Sequence, residues 1–310
     1  MPTVADAITR TKRLLNSNTR TELDAVHTEI NSSATTVRLK YQTDGIRAGS
    51  YLSLGGSASV APETVYVHSR NGEYATIQRG VDGSTAVTWA ANTPIEVEPR
   101  FTEFQIYEAV KDSIRAIPNN LYAVSSAETS ISTTETAVNF DISSTGFFHI
   151  LQATRSPRSQ KERWVKTNVK IYRDMNTTDF ASGWMLAMQE GLEKNVTVRV
   201  TYAHPFITST LNLNTDLVST VKMEAEMQDI PSLGAAATLM LGEESNRLDL
   251  HAMGDSRGDS ALTAGDRARH SMLLQAQYDR RVSQEARRLM SLYGVRADAA
   301  TSAVFPTTIR

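Results

Sequence analysis

The sequence predicts an α+β multidomain protein that combines a small antiparallel β domain and an inserted β-sandwich with an α-helical region. Two observations predict this class. Short segments rich in β-branched and aromatic residues, separated by glycine and proline, fill two stretches of the chain. Apolar residues at helical spacing fill the segments before, between and after those stretches. With 310 residues, the chain is long enough for two or three domains.

Composition excludes several classes of protein. Hydrophobic residues make up 40% and charged residues 21%, values that are typical of globular domains. The formal net charge of −2 at pH 7 does not favour a generally nucleic-acid-binding chain. The absence of cysteine rules out disulfide scaffolds, thiolate catalysis and cysteine-ligated zinc. The polar N-terminus predicts no secretory signal, and no apolar run is long enough to predict a membrane span.

The first 33 residues are predicted to form two short helices. Acidic Asp6 comes early and basic Lys12 late in the first of them, as the helix dipole prefers. The apolar residues that indicate the helices are Val4, Ile8, Leu14 and Leu15 in the first, and Leu23, Val26 and Ile30 in the second.

Residues 34–100 are predicted to form the small β domain. Val37, Leu39 and Tyr41 alternate with polar residues, and four further short β-rich segments follow. A linking helix is expected at 101–120, because apolar residues lie three or four apart until Pro118 ends the run.

The loop "QRGVDGSTAVTWAANTPIEV", residues 78–97, superficially resembles a phosphate-binding or catalytic loop. It lacks the lysine and the following helix of a P-loop, and it lacks the Gly-x-Ser-x-Gly of a nucleophile elbow. Asp82 and Gly83 instead form the dipeptide that tight β turns favour. We therefore predict a structural turn, braced by Ser84 and Thr85.

Residues 125–208 are predicted to form the β-sandwich, because short alternating segments recur about every ten residues. A basic run crosses this region. Its interpretation stays open between a solvated strand surface and a surface that contacts DNA or an acidic partner. The residues of that candidate contact are Arg155, Arg158, Lys161, Arg163 and Lys166.

Residues 212–294 are predicted to be helical, and residues 295–310 to form a C-terminal arm. Small residues and arginines along the helices favour close helix packing, either within the chain or between subunits. The candidate interface residues are Leu233, Met240, Arg247, Met272, Arg280, Arg281, Arg287 and Arg288.

Candidate catalytic and metal-binding residues are few. The six histidines show no spacing typical of a metal site. Carboxylate pairs such as Asp174 and Glu190 could meet in space, but no motif predicts it. We therefore expect that the protein is not an enzyme and binds no metal or cofactor. The alternative is a wall hydrolase, which the identification of a catalytic carboxylate would support.

Two parts of the chain carry a family resemblance. The segment "TVYVHSRNGEYATIQRGVDGSTAVTWAANTPIEVEPRFTEFQIYEAVKDSIRAI" resembles a segment of virion structural proteins of tailed bacteriophages. The segments "LGAAATLMLGEESNRLDL" and "RHSMLLQAQYDRRVSQEARRLMSLYG" resemble the paired helices of phage head-to-tail adaptor proteins. The resemblance covers residues 35–120 and 225–294. The predicted β-sandwich departs from it, because simple adaptors are small helical proteins.

The resemblance implies a structural ring subunit of the head-to-tail connector, assembled in the host cytoplasm and located at the virion neck. It also implies a homo-oligomeric ring of twelvefold symmetry whose partners are the portal protein and other neck or tail proteins. Contact of the basic run with packaged DNA stays an open alternative. No membrane partner is implied. The alternative is a tail or baseplate protein whose β-sandwich binds a receptor or glycan, with Trp164, Tyr172 and Trp184 as candidate contacts.

Overall fold

A computed structural model of the chain describes residues 2–15, 22–56, 60–131, 137–139, 148–156, 164–167, 169–172, 176, 178, 185–188, 196–208, 211–252 and 266–293. The chain divides into two compact units. Unit 1 comprises Met1–Ile117 and Thr208–Val282, and unit 2 comprises Pro118–Ile207 and Ser283–Arg310. The presence of both helices and antiparallel sheets confirms a mixed α and β fold. The finer division into six segments stays a prediction.

Unit 1 contains a six-stranded antiparallel sheet with the order β1-β6-β3-β4-β5-β2. Its strands are β1 (Glu22–Ala25), β2 (Thr36–Arg38), β3 (Tyr51–Leu54), β4 (Glu63–Asn71), β5 (Tyr74–Val81) and β6 (Pro94–Val97). Alternate side chains along these strands point to one face, where fourteen of the unit's buried apolar residues form a single core that includes Leu39, Ile46, Leu52 and Ile95.

The two edge strands of this sheet meet. Val26, just after β1, forms an antiparallel bridge with Leu39, just after β2. The His27 N–H donates to the Arg38 carbonyl at 2.8 Å, and the Lys40 N–H donates to the Ala25 carbonyl at 2.9 Å. The sheet therefore closes on itself as a small barrel, which leaves few backbone groups without a partner at its edges.

The prediction of a second N-terminal helix is wrong, because β1 lies there. Val26 and Ile30 are buried as expected, but they face the barrel core and Leu23 is exposed. The segment is a strand because it pairs antiparallel with β6. The buried Asp24 carboxylate also accepts hydrogen bonds from the backbone N–H groups of Tyr41 and Thr43 at 2.9 and 3.0 Å, which hold β1 against the irregular segment after β2.

The predicted turn at Asp82–Gly83 is confirmed. Both residues have positive φ, 55° and 81°, and the Ser84 N–H donates to the Val81 carbonyl at 3.1 Å. Ser84 braces the turn, since its hydroxyl donates to the Val81 carbonyl at 2.7 Å and accepts from the Thr64 N–H at 3.0 Å. Thr85 is exposed. The glycine-rich loop is thus a corner of the barrel.

A buried ion pair lies beside this corner. Glu63, which is 0% exposed, pairs with Arg79 at 2.6 Å and accepts the indole N–H of Trp89 at 2.7 Å. Arg79 also donates to the carbonyls of Asn31 and Val87. The network ties β4, β5 and the loop before β6 together, and each charged group has several partners, as buried charge requires.

The helices are α1 (Val4–Leu15), α2 (Glu103–Arg115), α3 (Ile230–Ala252) and α4 (Asp266–Tyr293), with a short 3-10 helix at Ala225–Met227. In unit 1, α1, α2 and α3 pack on one another, and α2 also contacts β3 and β4. Helix α2 is the predicted linking helix. A capping box formed by Thr102 and Gln105 fixes its start. None of the described helices is both long and apolar enough to cross a bilayer.

The prediction that residues 212–229 are helical is wrong apart from the 3-10 turn. The Asp216 carboxylate accepts the N–H groups of Val218 and Ser219 at 2.7 and 3.2 Å, and these bonds hold a tight turn in place of a helix. Lys222 has a positive φ of 64°, which interrupts any helical conformation of the backbone a second time. The helix starts only at Ile230, and Pro231 follows in its first turn, where proline is tolerated.

Unit 2 contains two antiparallel sheets, of order β10-β9-β13-β7 and β11-β12-β8. The strands are β7 (Ala123–Ile131), β8 (Ala137–Asn139), β9 (His149–Ser156), β10 (Val165–Lys166), β11 (Val169–Tyr172), β12 (Met185–Met188) and β13 (Val196–His204). Strand β13 is central and buries Val196, Val198 and Val200 on one face. A β-sandwich requires two antiparallel sheets, and both are present, whereas the packing of one sheet on the other stays a prediction.

The predicted C-terminal arm, residues 295–310, lies outside the described residues.

Candidate subunit interface

Helices α3 and α4 run antiparallel in unit 1. The Ser271 hydroxyl donates to the Ala237 carbonyl at 2.9 Å. Ten residues further along α4, Arg281 donates to both carboxylate oxygens of Asp229 at 2.8 and 3.1 Å. The close helix packing predicted from the small residues is present within one chain between α3 and the helices α1 and α2, and Ala235, Ala236 and Ala237 are all buried.

Two of the predicted interface residues belong to the core of their own chain. Leu233 and Met240 are 7% and 1% exposed. The sequence does not show which face of α3 is covered, because that helix is apolar on several sides. The prediction that Leu233 and Met240 lie at a subunit interface is corrected accordingly. Both side chains stabilise the protomer and cannot contact a neighbour without rearrangement.

Two predicted arginines neutralise carboxylates of their own chain. Besides Asp229, Arg281 binds the Glu226 carbonyl at 2.7 Å. Arg288 pairs with the buried Glu285 at 2.6 Å, one helical turn away. Arg281 therefore anchors α4 to the segment before α3, whereas the Arg288 pair lies within α4 itself. Arg247 lies in α3, and its side chain is outside the described part of the structure.

The remaining candidates lie on the outward side of α4. Met272 is 71% exposed and the adjacent Leu273 is 64% exposed. Arg280 and Arg287 are also exposed. Positions four apart share a helix face, so Met272, Ala276 and Arg280 form one row. We call Met272, Leu273, Ala276 and Arg280 the outer face of α4. Large apolar side chains at this exposure, next to arginine, are typical of protein contacts.

A groove of about 930 Å³ lies between α2, α3 and α4 in unit 1. We call it the helical groove. Phe101 and Phe104 supply its aromatic wall, and its acidic residues are Asp82, Glu108 and Asp112. Three small residues of α3 spaced four apart line its floor, and Gln275 and Tyr278 of α4 line the opposite wall. The floor residues are Gly234, Thr238 and Gly242.

Helices α2 and α3 cross closely at the floor of this groove. A Cβ atom on Gly234 would overlap the Ser113 hydroxyl and lie 3.1 Å from the Tyr278 ring. The Ser113 residue is 8% exposed, and its hydroxyl has no hydrogen-bond partner among the described residues. Burial, and then the charge of Asp279, raise the pKa of the Tyr278 phenol. The groove thus presents a neutral phenol and a buried hydroxyl.

The sequence did not predict the helical groove. The spacing of apolar residues predicted α2 as a linking helix and the alanines of α3 as packing residues, but no pattern predicted that these two helices cross. The signal available was the row Gly234, Thr238 and Gly242, which repeats every four residues.

The structure describes two members of the basic run. Arg155 is partly buried on β9, and Lys166 is exposed on β10. Arg155 is paired directly with Val165 across the two strands. Arg158, Lys161 and Arg163 lie outside the described residues. A contact with DNA or an acidic partner stays a prediction.

Of the aromatic candidates in unit 2, Trp164 is stacked, Tyr172 is exposed and Trp184 is undescribed. The Arg199 guanidinium stacks over the Trp164 ring at 4.1 Å and pairs with Glu128. Tyr172 is 43% exposed on β11. Trp184 lies outside the described residues. Because one face of Trp164 is covered by its own chain, that ring is a poor platform for a sugar.

A half-buried serine and a buried histidine in unit 2 resemble a nucleophile and a base. The Ser125 hydroxyl lies 2.9 Å from His204 Nε2, and His204 Nδ1 lies 2.7 Å from the Pro205 carbonyl. A carbonyl can only accept, so Nδ1 carries the proton. His204 is 1% exposed on the central strand, so the serine satisfies the hydrogen-bonding need of a buried imidazole ring.

Within the described residues, no group of three or more histidine, aspartate or glutamate side chains could hold a metal ion.

Comparisons with known proteins identify no family. No protein-family model matches the chain, and no curated protein matches it. Among solved structures, the chain aligns with one described as cAMP-bound PfPKA-R (141–441) at 8% sequence identity. The alignment covers 80% of this chain and 91% of that one, with a TM-score of 0.14. A TM-score this low does not indicate a shared fold.

Proposed function

We propose that this chain is a structural ring subunit of a tailed-phage head-to-tail connector, an adaptor that binds beneath the portal. Its activity would be assembly: identical copies would form a ring, and the ring would join head to tail. The resemblance of residues 35–120 and 225–294 to phage virion proteins supports this proposal.

One structural observation favours an assembling protein, namely the outer face of α4. Met272 and Leu273 expose large apolar side chains on a helix that is otherwise anchored to its own chain. Exposing this apolar surface to water is unfavourable, so its burial against another protein would contribute to association. The tail or baseplate alternative receives no comparable support, because Trp164 stacks with Arg199.

Immunogold electron microscopy tests the proposal. Particles from a phage lysate that contains this protein are labelled with antibody raised against the purified chain, and dissociated protein serves as the positive control. Label at the neck, between head and tail, is the expected result. Label confined to the tail tip would overturn the connector assignment in favour of a receptor-contacting protein. If the antibody labels the dissociated protein but labels neither intact nor opened particles, a role in the virion is overturned.

A further inference from the structure

No described residue explains Gly242. It lies inside α3, where glycine costs about 1 kcal/mol relative to alanine. A Cβ atom there would meet none of the described atoms within 4 Å. Gly234, by contrast, is required by the close approach of Ser113 and Tyr278. A helical glycine that faces open space in a groove is explained if another molecule packs directly against the helix backbone.

A second observation concerns the same groove, at its Gly234 end. The Ser113 hydroxyl lines the helical groove, is more than nine-tenths buried and has no partner among the described residues. A buried hydroxyl without a partner is unfavourable by about 1–3 kcal/mol. An occupant that brings a donor or an acceptor to the groove would remove this penalty.

We propose that the helical groove binds the outer face of α4 from a second copy of this chain. The two surfaces are complementary. The groove offers Phe101 and Phe104 with three carboxylates and one guanidinium, that of Arg100, and the outer face offers Met272 and Leu273 with Arg280. Glu108 and Asp112 pair with lysine and arginine one turn away, at 2.7 and 3.0 Å. Such partly exposed pairs contribute little, so they can exchange partners.

The geometry of α4 makes this contact directional. Gln275 and Tyr278 line the groove of their own copy, whereas Met272 and Arg280 lie on the outward side of the same helix. Each copy therefore carries both halves of the contact in different places. Contacts of this heterologous kind produce closed rings or open filaments. The inference rests on the proposed function, for which it specifies the lateral contact of the ring.

The test uses the full chain and one variant for each half of the contact. Gly242→Trp fills the groove, and its matched control Arg13→Trp adds the same bulk at an exposed position of α1. Arg280→Glu reverses the charge of the outer face, and its matched control is Arg10→Glu on α1. Circular dichroism and thermal unfolding verify that each variant folds. Tryptophan favours a helix more than glycine does, so Gly242→Trp is expected to keep α3 intact.

Sedimentation velocity over a concentration series measures association. The wild type and both controls are expected to form oligomers, and each groove or outer-face variant is expected to raise the dissociation constant on the order of tenfold or more. A mixture of Gly242→Trp with Arg280→Glu is the decisive sample. It retains one working groove and one working outer face, so it should form a one-to-one dimer and stop there.

Other outcomes overturn the inference. Oligomers that persist in both variants would place the subunit contact elsewhere, and the connector proposal would stand. A wild type that stays monomeric at every concentration would overturn the inference, and neck labelling would then decide the connector proposal by itself. A bound small molecule detected by native mass spectrometry, lost only in Gly242→Trp without a change in association, would assign the groove to a small ligand.

Discussion

At the scale of single residues, the barrel depends on buried charges that have partners on several strands. Glu63 and Arg79 are almost fully buried and paired at 2.6 Å. We expect Arg79→Met to lower the free energy of unfolding by about 3–5 kcal/mol, because it leaves the Glu63 carboxylate buried without its countercharge.

Urea denaturation measures this loss, and a second ion pair of the same barrel is the control. Arg38 pairs with Glu73, and both side chains are about one-third exposed. Arg38→Met should therefore cost about 0–1 kcal/mol. Equal losses for the two variants would show that the Glu63–Arg79 network does not stabilise the barrel.

Asp24 gives the barrel a predictable pH dependence. Burial by itself raises the pKa of the Asp24 carboxyl, but hydrogen bonds from the backbone N–H groups of Tyr41, Thr43 and Ala25 outweigh it and hold the pKa below its ordinary value of 3.8. The folded state thus favours the carboxylate. The resulting stability is fully present above pH 3.8 and is lost as the pH falls through the folded-state pKa.

We expect Asp24→Asn to lower the free energy of unfolding at pH 7 by about 2 kcal/mol. The difference between wild type and variant should shrink as the pH falls below 3.8, because the wild-type side chain then becomes neutral as well. Denaturation curves over a pH series measure it, with the exposed Asp44→Asn as the control. A difference that grows toward acid pH would contradict the assignment.

At the scale of elements, the two groove-lining glycines of α3 should respond in opposite ways to alanine. Gly242→Ala should stabilise the monomer by about 1 kcal/mol, because its Cβ meets open space and alanine favours helix. Gly234→Ala should destabilise it by about 1–3 kcal/mol, because its Cβ overlaps the Ser113 hydroxyl at the crossing with α2.

Thermal and urea unfolding of the two variants measure these effects at a concentration where the chain is monomeric. Ser113→Ala in the Gly234→Ala background should recover much of the lost stability, because it removes the overlapping atom. A Gly234→Ala variant as stable as Gly242→Ala would mean that α2 and α3 do not cross closely at this point.

At the scale of the whole molecule, the first segment of unit 2, Pro118–Ile207, begins and ends at two neighbouring strands. Ala123 at the start of β7 is paired with His204 at the end of β13. Residues 123–204 can therefore be replaced by a short glycine–serine linker without stretching the remaining chain. We expect the shortened protein to unfold cooperatively and to keep its capacity for self-association.

Circular dichroism and sedimentation of the shortened chain measure both properties. Non-cooperative melting would show that unit 1 depends on unit 2 for its fold. A folded chain that no longer associates would move the subunit contact to unit 2 and would contradict the assignment of the helical groove.

Short-range sequence patterns predicted several elements of this fold. The alternation at Val37 and Leu39 predicted strand, the spacing of Tyr107, Val110 and Ile114 predicted α2, and Asp82 with Gly83 predicted a turn. Each of these patterns acts over a few residues, so no distant partner was needed to interpret it. The candidate interface stays a prediction: of its residues, Met272 and Arg280 are exposed, whereas Leu233 and Met240 are buried.

Only the tertiary structure decided the rest. The spacing of Leu23, Val26 and Ile30 suits a helix, but antiparallel pairing with the distant β6 makes that segment a strand. The buried face of α3 and the existence of the helical groove depend on where α2 and α4 pack. A linear pattern shows which side chains are apolar and how they are spaced. Which of them become covered is settled by long-range packing, because burial is a property of the assembled surfaces.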